Sequence, residues 1–286
     1  MRFEGRTIWI TGASSGIGEA LAVAFAAEGA DLILSGRRRD ALDALAARLP
    51  TQSLVLPFET TDSDALTEAV ETAWGWRGGV DMLVNNAGIS QRSLAIDTVP
   101  EVYRKLIEVD LLAPILLTQL VLPLMAGRRS GHIVAISSVA GRVGTAIRTG
   151  YCAAKHGLIG YMDALRAEVE QAYGIKVSNV LPGSIRTNVA ANALQADGSP
   201  RGSSDANIES GIDPAECARR ILDGLAAGAR EILVADGVEA GASTLRFQDP
   251  ERLFDLVARE GARLAAEREA GGGAGWRPDP ARVNRD

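Results

Sequence analysis

Thr7-Ile8-Trp9-Ile10-Thr11-Gly12-Ala13-Ser14-Ser15-Gly16-Ile17-Gly18 is the stretch that decides the fold. A β-branched run ends in a turn with three glycines, and the turn opens directly into the helical spacing of Gly16 to Glu28. Strand, tight turn and helix in that order place free backbone N–H groups at a helix N-terminus, where the helix dipole favours an anion. Gly12, Ser14, Ser15, Gly16, Ile17 and Gly18 are therefore expected to receive a pyrophosphate.

Outward from this unit the same alternation repeats. Leu32–Ser35, Ser53–Leu56, Met82–Val84, His132–Ser137, Lys176–Leu181 and Glu231–Val234 read as buried strands. Between them Asp40–Leu49, Asp62–Trp76, Pro100–Ala126, Gly150–Tyr173 and Pro214–Ala229 carry helical periodicity. Thr98 with Glu101, and Asp213 with Glu216, have the spacing of an N-cap and its returning carboxylate. The pattern predicts a doubly wound, Rossmann-like parallel sheet of seven strands with helices on both faces. No composition break splits it, so residues 1–248 are expected to form one domain, with a long substrate loop at 188–212. Residues 249–286 read as an amphipathic helix, Asp249–Glu269, and a Gly-, Pro- and Arg-rich flexible tail from Ala270 to Asp286.

Composition narrows the partners. The formal charge of -6 gives no general field for nucleic acid or anionic lipid, and neither is expected as a partner. The longest apolar run, Leu111–Met125, is shorter than a bilayer requires and carries Pro114, Gln119 and Pro123, so it reads as a buried helix. Cys152 and Cys217 have no metal-binding spacing, and residues 1–10 lack a signal-peptide pattern; a reducing, cytoplasmic setting is expected, with no metal.

Four further groups of residues carry chemistry. Gly36-Arg37-Arg38-Arg39 follows the second strand, where a ligand with a free ribose 2′-hydroxyl would meet an acid. Arginines there favour a 2′-phosphate, hence NADP(H) over NAD(H), gripped by the planar forks of Arg37 and Arg38. Asn86, Ala87 and Gly88 end the fourth strand, the edge where ligands bind in such sheets, and are read as a cofactor wall. Tyr151 and Lys155, four apart, share one helix face; with four tyrosines and three lysines in 286 residues, this spacing arises by chance with a probability of about 0.04. A tyrosine hydroxyl works as a proton shuttle at neutral pH when a cation lies beside it, and Lys155 supplies one. Ser138, after the fifth strand, is placed to hydrogen-bond a reacting oxygen. His132 and His156 read as satisfied structural residues.

Together these motifs resemble the short-chain dehydrogenase/reductase family over about residues 5 to 240: Thr11–Gly18, Asn85–Gly88, Ser138 with Tyr151 and Lys155, and Pro182-Gly183-Ser184-Ile185-Arg186-Thr187. The resemblance implies that Tyr151 is the general acid/base, that Lys155 holds the nicotinamide ribose, and that Pro182, Gly183, Ile185 and Thr187 line the nicotinamide end. It also places Glu59 near the adenine and implies a homodimer or homotetramer. One residue departs from the pattern: Asp110 stands where the family carries a catalytic Asn. The expected activity is NADP(H)-dependent hydride transfer to or from a carbonyl or secondary alcohol. The rivals are a non-catalytic NADP-binding sensor or scaffold, and an isomerase or dehydratase on the same scaffold. Ser90–Leu94, Arg142–Thr149 and the 188–212 stretch, as a closing lid, are the expected substrate walls.

Overall fold

The computed structural model describes residues 1–271. Seven parallel strands run β1 (Thr7–Thr11), β2 (Asp31–Ser35), β3 (Ser53–Val55), β4 (Met82–Asn85), β5 (Gly131–Ile136), β6 (Ile175–Pro182) and β7 (Glu231–Val234) along the chain. In space they lie in the order β3-β2-β1-β4-β5-β6-β7. The chain winds outward from β1 to β3, then returns to place β4 against β1, with Ile8 opposite Met82 and Ile10 opposite Val84. That reversal opens a crevice at the C-terminal ends of β1 and β4, where ligands bind in such sheets.

Both faces of the sheet are covered, which is why the strands are apolar nearly throughout rather than alternating. On one face Ile8, Ile10, Leu32 and Leu34 pack with Leu21 and Phe25 of α1 (Gly16–Ala27) and with Ile221 and Leu222. On the other, Trp9, Ile33, Leu83 and Ile133 meet Leu66 of α3 (Ser63–Gly75), Leu117 and Val121, and Leu158 and Met162. Between α1 and α3 runs the short α2 (Arg39–Ala46).

The expected continuous helix over 100–126 is interrupted. It consists of α4 (Pro100–Ile107), a wide π-helical turn at Glu108–Leu112, and α5 (Ala113–Arg128). Pro114 has no N–H to give the carbonyl of Asp110, and its ring would crowd that carbonyl, so the backbone widens and Ala113 bonds five residues back to Glu108. The whole Pro100–Arg128 stretch is long and apolar enough to cross a membrane by length and composition, beyond what the Leu111–Met125 run suggested. Here one of its faces, Ala113, Leu117, Val121 and Met125, packs in this fold.

The remaining helices are α6 (Thr149–Tyr173), the single turn α7 (Ala206–Glu209), α8 (Pro214–Ala226), α9 (Gly237–Gln248) and α10 (Pro250–Ala270). Asp213 caps α8 as its spacing predicts, accepting from the Ala215 amide. Thr98 does not cap α4; the N-cap is Val99, and the Thr98 hydroxyl donates back to the Leu94 carbonyl. The sequence pattern did not single out α7 or α9. α10 packs onto the domain: Leu253 is buried with Val139 and Val143, and Arg268 pairs with Asp97 at 2.6 Å. The tail expected from Ala270 onward lies, beyond Gly271, outside the described residues.

Candidate functional site

At the C-terminal ends of β1 and β4 lies a cleft of about 1690 Å³. Its floor is the glycine turn. Gly12 has φ +64°, a conformation that glycine adopts without strain, and a Cβ there would come within 2.8 Å of the Ala87 Cα. A Cβ on Gly18 would lie 2.3 Å from the Gly12 carbonyl oxygen and 2.5 Å from Asn86 Nδ2. The glycines thus let α1, the turn and the end of β4 close on one another, leaving a cradle formed by Gly12, Ser14, Ser15, Gly16 and Ile17 open to the cleft. That cradle, at the N-terminus of α1, fits the pyrophosphate of a dinucleotide.

Asn86, read as part of a cofactor wall, lines the cleft and also holds the glycine turn. Its side chain donates to the Thr11 and Gly12 carbonyls at 2.9 and 3.2 Å, and its backbone amide and that of Ala87 both donate to Thr11 Oγ1. Its side-chain donors are spent clamping the glycine turn, although Asn86, Ala87 and Gly88 all line the cleft. Ser14, Ser15, Gly16, Ile17, Gly36, Arg37, Arg38 and Glu59 line the cleft as well. Arg38 donates to the Ser14 carbonyl at 3.0 Å and to its hydroxyl at 3.2 Å, while exposed Arg37 stands 3.7 Å from Glu59. No acid follows β2: Gly36 occupies that place.

Ser138, Tyr151 and Lys155 converge on the same cleft. Ser138, two residues past β5, is the N-cap of a tight turn at Val139–Gly141, accepting from the Ala140 amide at 3.1 Å and donating to the Pro182 carbonyl at 3.3 Å. Tyr151 and Lys155 lie one turn apart on α6, with Lys155 Nζ 5.7 Å from the Tyr151 ring centre. Lys155 is buried and spends one donor on the Ile136 carbonyl at 3.2 Å. Asp110, turned inward by the π-helical turn, is fully buried; its Oδ1 accepts from the Ile89 amide at 2.8 Å, and its Oδ2 has no partner. Burial pushes its pKa up to about 6, against the pull of Lys155 and the Ile89 amide.

Pro182, Gly183, Ile185 and Thr187 form the far wall. Glu239 of α9 holds this wall from behind, accepting from the Ser184 amide at 2.6 Å and the Ser184 hydroxyl at 2.8 Å. Sequence reasoning missed it: a lone Glu more than fifty residues downstream carries no spacing signal.

Two of the expected substrate walls are displaced. Ser90, Gln91 and Ser93 are buried, and neither Ser90–Leu94 nor Arg142–Thr149 lines the cleft. They form a support instead: Gln91 accepts from the Gly150 amide at 2.8 Å, fixing the start of α6 just before Tyr151. The 188–212 segment does line the cleft, through Asn188, Val189, Asn192, Leu194, Pro200 and Ile208. Rather than hanging as an open lid, it is tied down. Leu194 exchanges backbone bonds with Ser90 and Arg92, and Asp205 receives Arg92 at 2.6 Å together with Arg201. Burial raises the Asp205 pKa, but the Arg201 and Arg92 hydrogen bonds outweigh it and hold the carboxyl below its usual range. His132 and His156 are satisfied locally, on Ser178 Oγ and on the Cys152 carbonyl, and both cysteines are buried and free.

With this geometry in view, the chain compares closely with known proteins. Residues 6–198 match the family model described as short chain dehydrogenase. The chain belongs to the short-chain dehydrogenase family. It is 38% identical over 268 residues to dehydrogenase/reductase SDR family member 7B of Mus musculus, covering 91% of this chain and 82% of that one. It is 37% identical over 236 residues to dehydrogenase/reductase SDR family member 7 of Homo sapiens, covering 80% and 70%. Among solved structures, a short-chain dehydrogenase of Sphingobium yanoikuyae in complex with NADPH superposes with a TM-score of 0.73 at 28% identity, covering 92% of this chain and 95% of that one. A family member of Burkholderia phymatum in complex with NAD reaches a TM-score of 0.78 at 22% identity, covering 88% and 96%. This short-chain dehydrogenase is thus an oxidoreductase built for hydride transfer with a nicotinamide cofactor.

Proposed function

We propose that this short-chain dehydrogenase uses NADP(H) to move a hydride between the nicotinamide and a carbonyl or secondary alcohol. The observation that carries the cofactor choice is the rim beyond β2, where Gly36 replaces an acid and Arg37 and Arg38 stand at the cleft. A 2′-phosphate there would meet two guanidinium forks, and Arg38 is already oriented by Ser14. Glu59 would border the adenine.

When bound, the nicotinamide supplies or accepts the hydride. In the reductive direction Tyr151 gives its hydroxyl proton to the carbonyl oxygen, while Ser138 turns its hydroxyl from the Pro182 carbonyl to that oxygen. Lys155 offers the two ammonium donors not engaged by Ile136 to the cofactor ribose and to the Tyr151 side. Ile185 and Thr187 would hold the carboxamide end. The exposed Leu112, Leu116 and Leu124 support assembly as a homodimer or homotetramer.

The test is a fluorescence titration with NADPH and NADH, followed by a carbonyl and alcohol panel on wild type and Tyr151→Phe. Tighter NADPH binding and turnover that falls by roughly 100-fold or more in Tyr151→Phe are expected. Full turnover in Tyr151→Phe would remove the proton-transfer role, and tighter NADH would remove the phosphate clamp.

A further inference from the structure

Asp110 is an expensive residue in the place it occupies. A carboxylate taken wholly out of water costs free energy unless its oxygens find donors or a cation. One of its oxygens has the Ile89 amide; the other is buried without a partner. Across the cleft wall stands a second buried charge, the Lys155 ammonium, whose hydrogen bond is to the Ile136 carbonyl. The two charges face each other at Gly88: a Cβ on that glycine would lie 2.8 Å from Asp110 Oδ1 and 3.4 Å from Lys155 Nζ. Position 88 must therefore lack a side chain for them to share one space.

The surroundings single out this pairing. From α6 the charged group acting on Asp110 is Lys155, with Tyr151 one turn away on the same helix face. The segment after β4 offers the Ile89 amide and no titratable side chain. On its own stretch of chain, Lys105 and Glu108 line the cleft. We propose that Asp110 is the counter-charge of Lys155, a positioning residue that holds the ammonium toward the cofactor ribose, so that cofactor binding requires an ionised carboxylate at position 110. This rests on the reading above that Lys155 faces the cofactor.

The pH window follows from the Asp110 pKa of about 6: ionised at pH 7, the carboxyl is mostly protonated at pH 5. Affinity for the cofactor should then fall about tenfold from pH 7 to pH 5 in wild type through Asp110 alone. The experiment is a titration of wild type, Asp110→Asn and Asp110→Leu with NADPH and with NADH at half-unit pH steps, each protein checked for folding by circular dichroism. The 2′-phosphate of NADPH titrates in the same range, but equally in all three proteins. Asp110→Asn keeps an acceptor for the Ile89 amide and cannot ionise, so with both cofactors it should bind at pH 7 about tenfold more weakly than wild type and lose the extra tenfold pH dependence. Asp110→Leu leaves that amide without its acceptor and should bind more weakly than Asp110→Asn at every pH. Identical pH dependence in wild type and Asp110→Asn would overturn the proposal, as would wild-type affinity at pH 7 in Asp110→Asn. A preference for NADH would overturn the phosphate clamp alone, because the comparison among the three proteins is made with each cofactor separately.

Discussion

At Gly18 the tolerance of the structure can be stated atom by atom. The missing Cβ leaves room for the Gly12 carbonyl and the Asn86 amide group, and both belong to the clamp that closes the turn on β4. In Gly18→Ala one of them must move, and neither is the end of a flexible side chain free to swing away. We expect a loss of about 1–3 kcal/mol in urea unfolding, the usual cost of overpacking, together with weakened cofactor binding. Native stability and unaltered affinity in this variant would show that the clamp is not needed. At this scale the sequence was most informative where chemistry is local. The glycine turn is contiguous, and Tyr151 and Lys155 are related by one helical turn, so their convergence needs no knowledge of the fold. Asn86 shows the opposite case. Its place at a strand end was correct, but whether its side chain faces a ligand or a neighbouring loop depends on how closely β1 and β4 approach. Glu239 gave no local sign, since its partner Ser184, just past the end of β6, lies 55 residues away along the chain.

At the scale of elements, the π-helical turn decides where Asp110 points. Apolar periodicity runs through residues 100–126 without a break, which is why a single helix was the natural expectation. Periodicity records which face is buried, not how many residues the backbone uses to complete a turn, and the signal that could have located the turn is Pro114. Pro114→Ala restores an N–H for the Asp110 carbonyl and removes the ring that crowds it. The turn should then tighten toward an ordinary α-helix, and Asp110 should rotate away from Gly88 and Lys155. We expect an unchanged or slightly raised melting temperature with cofactor affinity lowered several-fold, the reverse of what general destabilisation would produce. A crystal structure of Pro114→Ala with the wide turn intact would show that Asp110 is held by its own contacts rather than by the proline. Strand positions were legible to within a residue or two because buried parallel strands are continuous apolar runs. α7 was not, because a single turn inside a loop carries too few residues for any period to show.

For the molecule as a whole, two of the buried ionisable groups, His132 and Asp110, make opposite demands as pH falls. His132 lies between β4 and β6, with its Nε2–H directed at Ser178 Oγ, which itself donates to the Ala229 carbonyl. Burial, and then Lys176, push its pKa from 6.5 down to about 4. Below pH 6.5 the unfolded chain therefore takes up a proton that the folded protein refuses, and stability is lost until pH 4. Asp110 has the reverse sign. Its pKa rises from 3.8 to about 6, so between pH 6 and pH 3.8 the folded protein binds the extra proton and gains stability. From pH 7 to pH 5 the His132 contribution amounts to a loss of about 2 kcal/mol and the Asp110 contribution to a gain of about 1 kcal/mol. Urea unfolding of the cofactor-free protein at the two pH values should thus show a partial cancellation in wild type. Asp110→Asn should lose stability more steeply toward pH 5, and His132→Gln should lose less than wild type or gain, whatever each substitution does at pH 7. Other carboxylates held low, Asp97 by Arg268 and Asp213 by the Ala215 amide and then Arg186, contribute equally to all three proteins and cancel from the comparison. Parallel slopes in wild type and His132→Gln would mean that the imidazole is protonated in the folded sheet, and the neutral His132–Ser178–Ala229 chain would have to be redrawn.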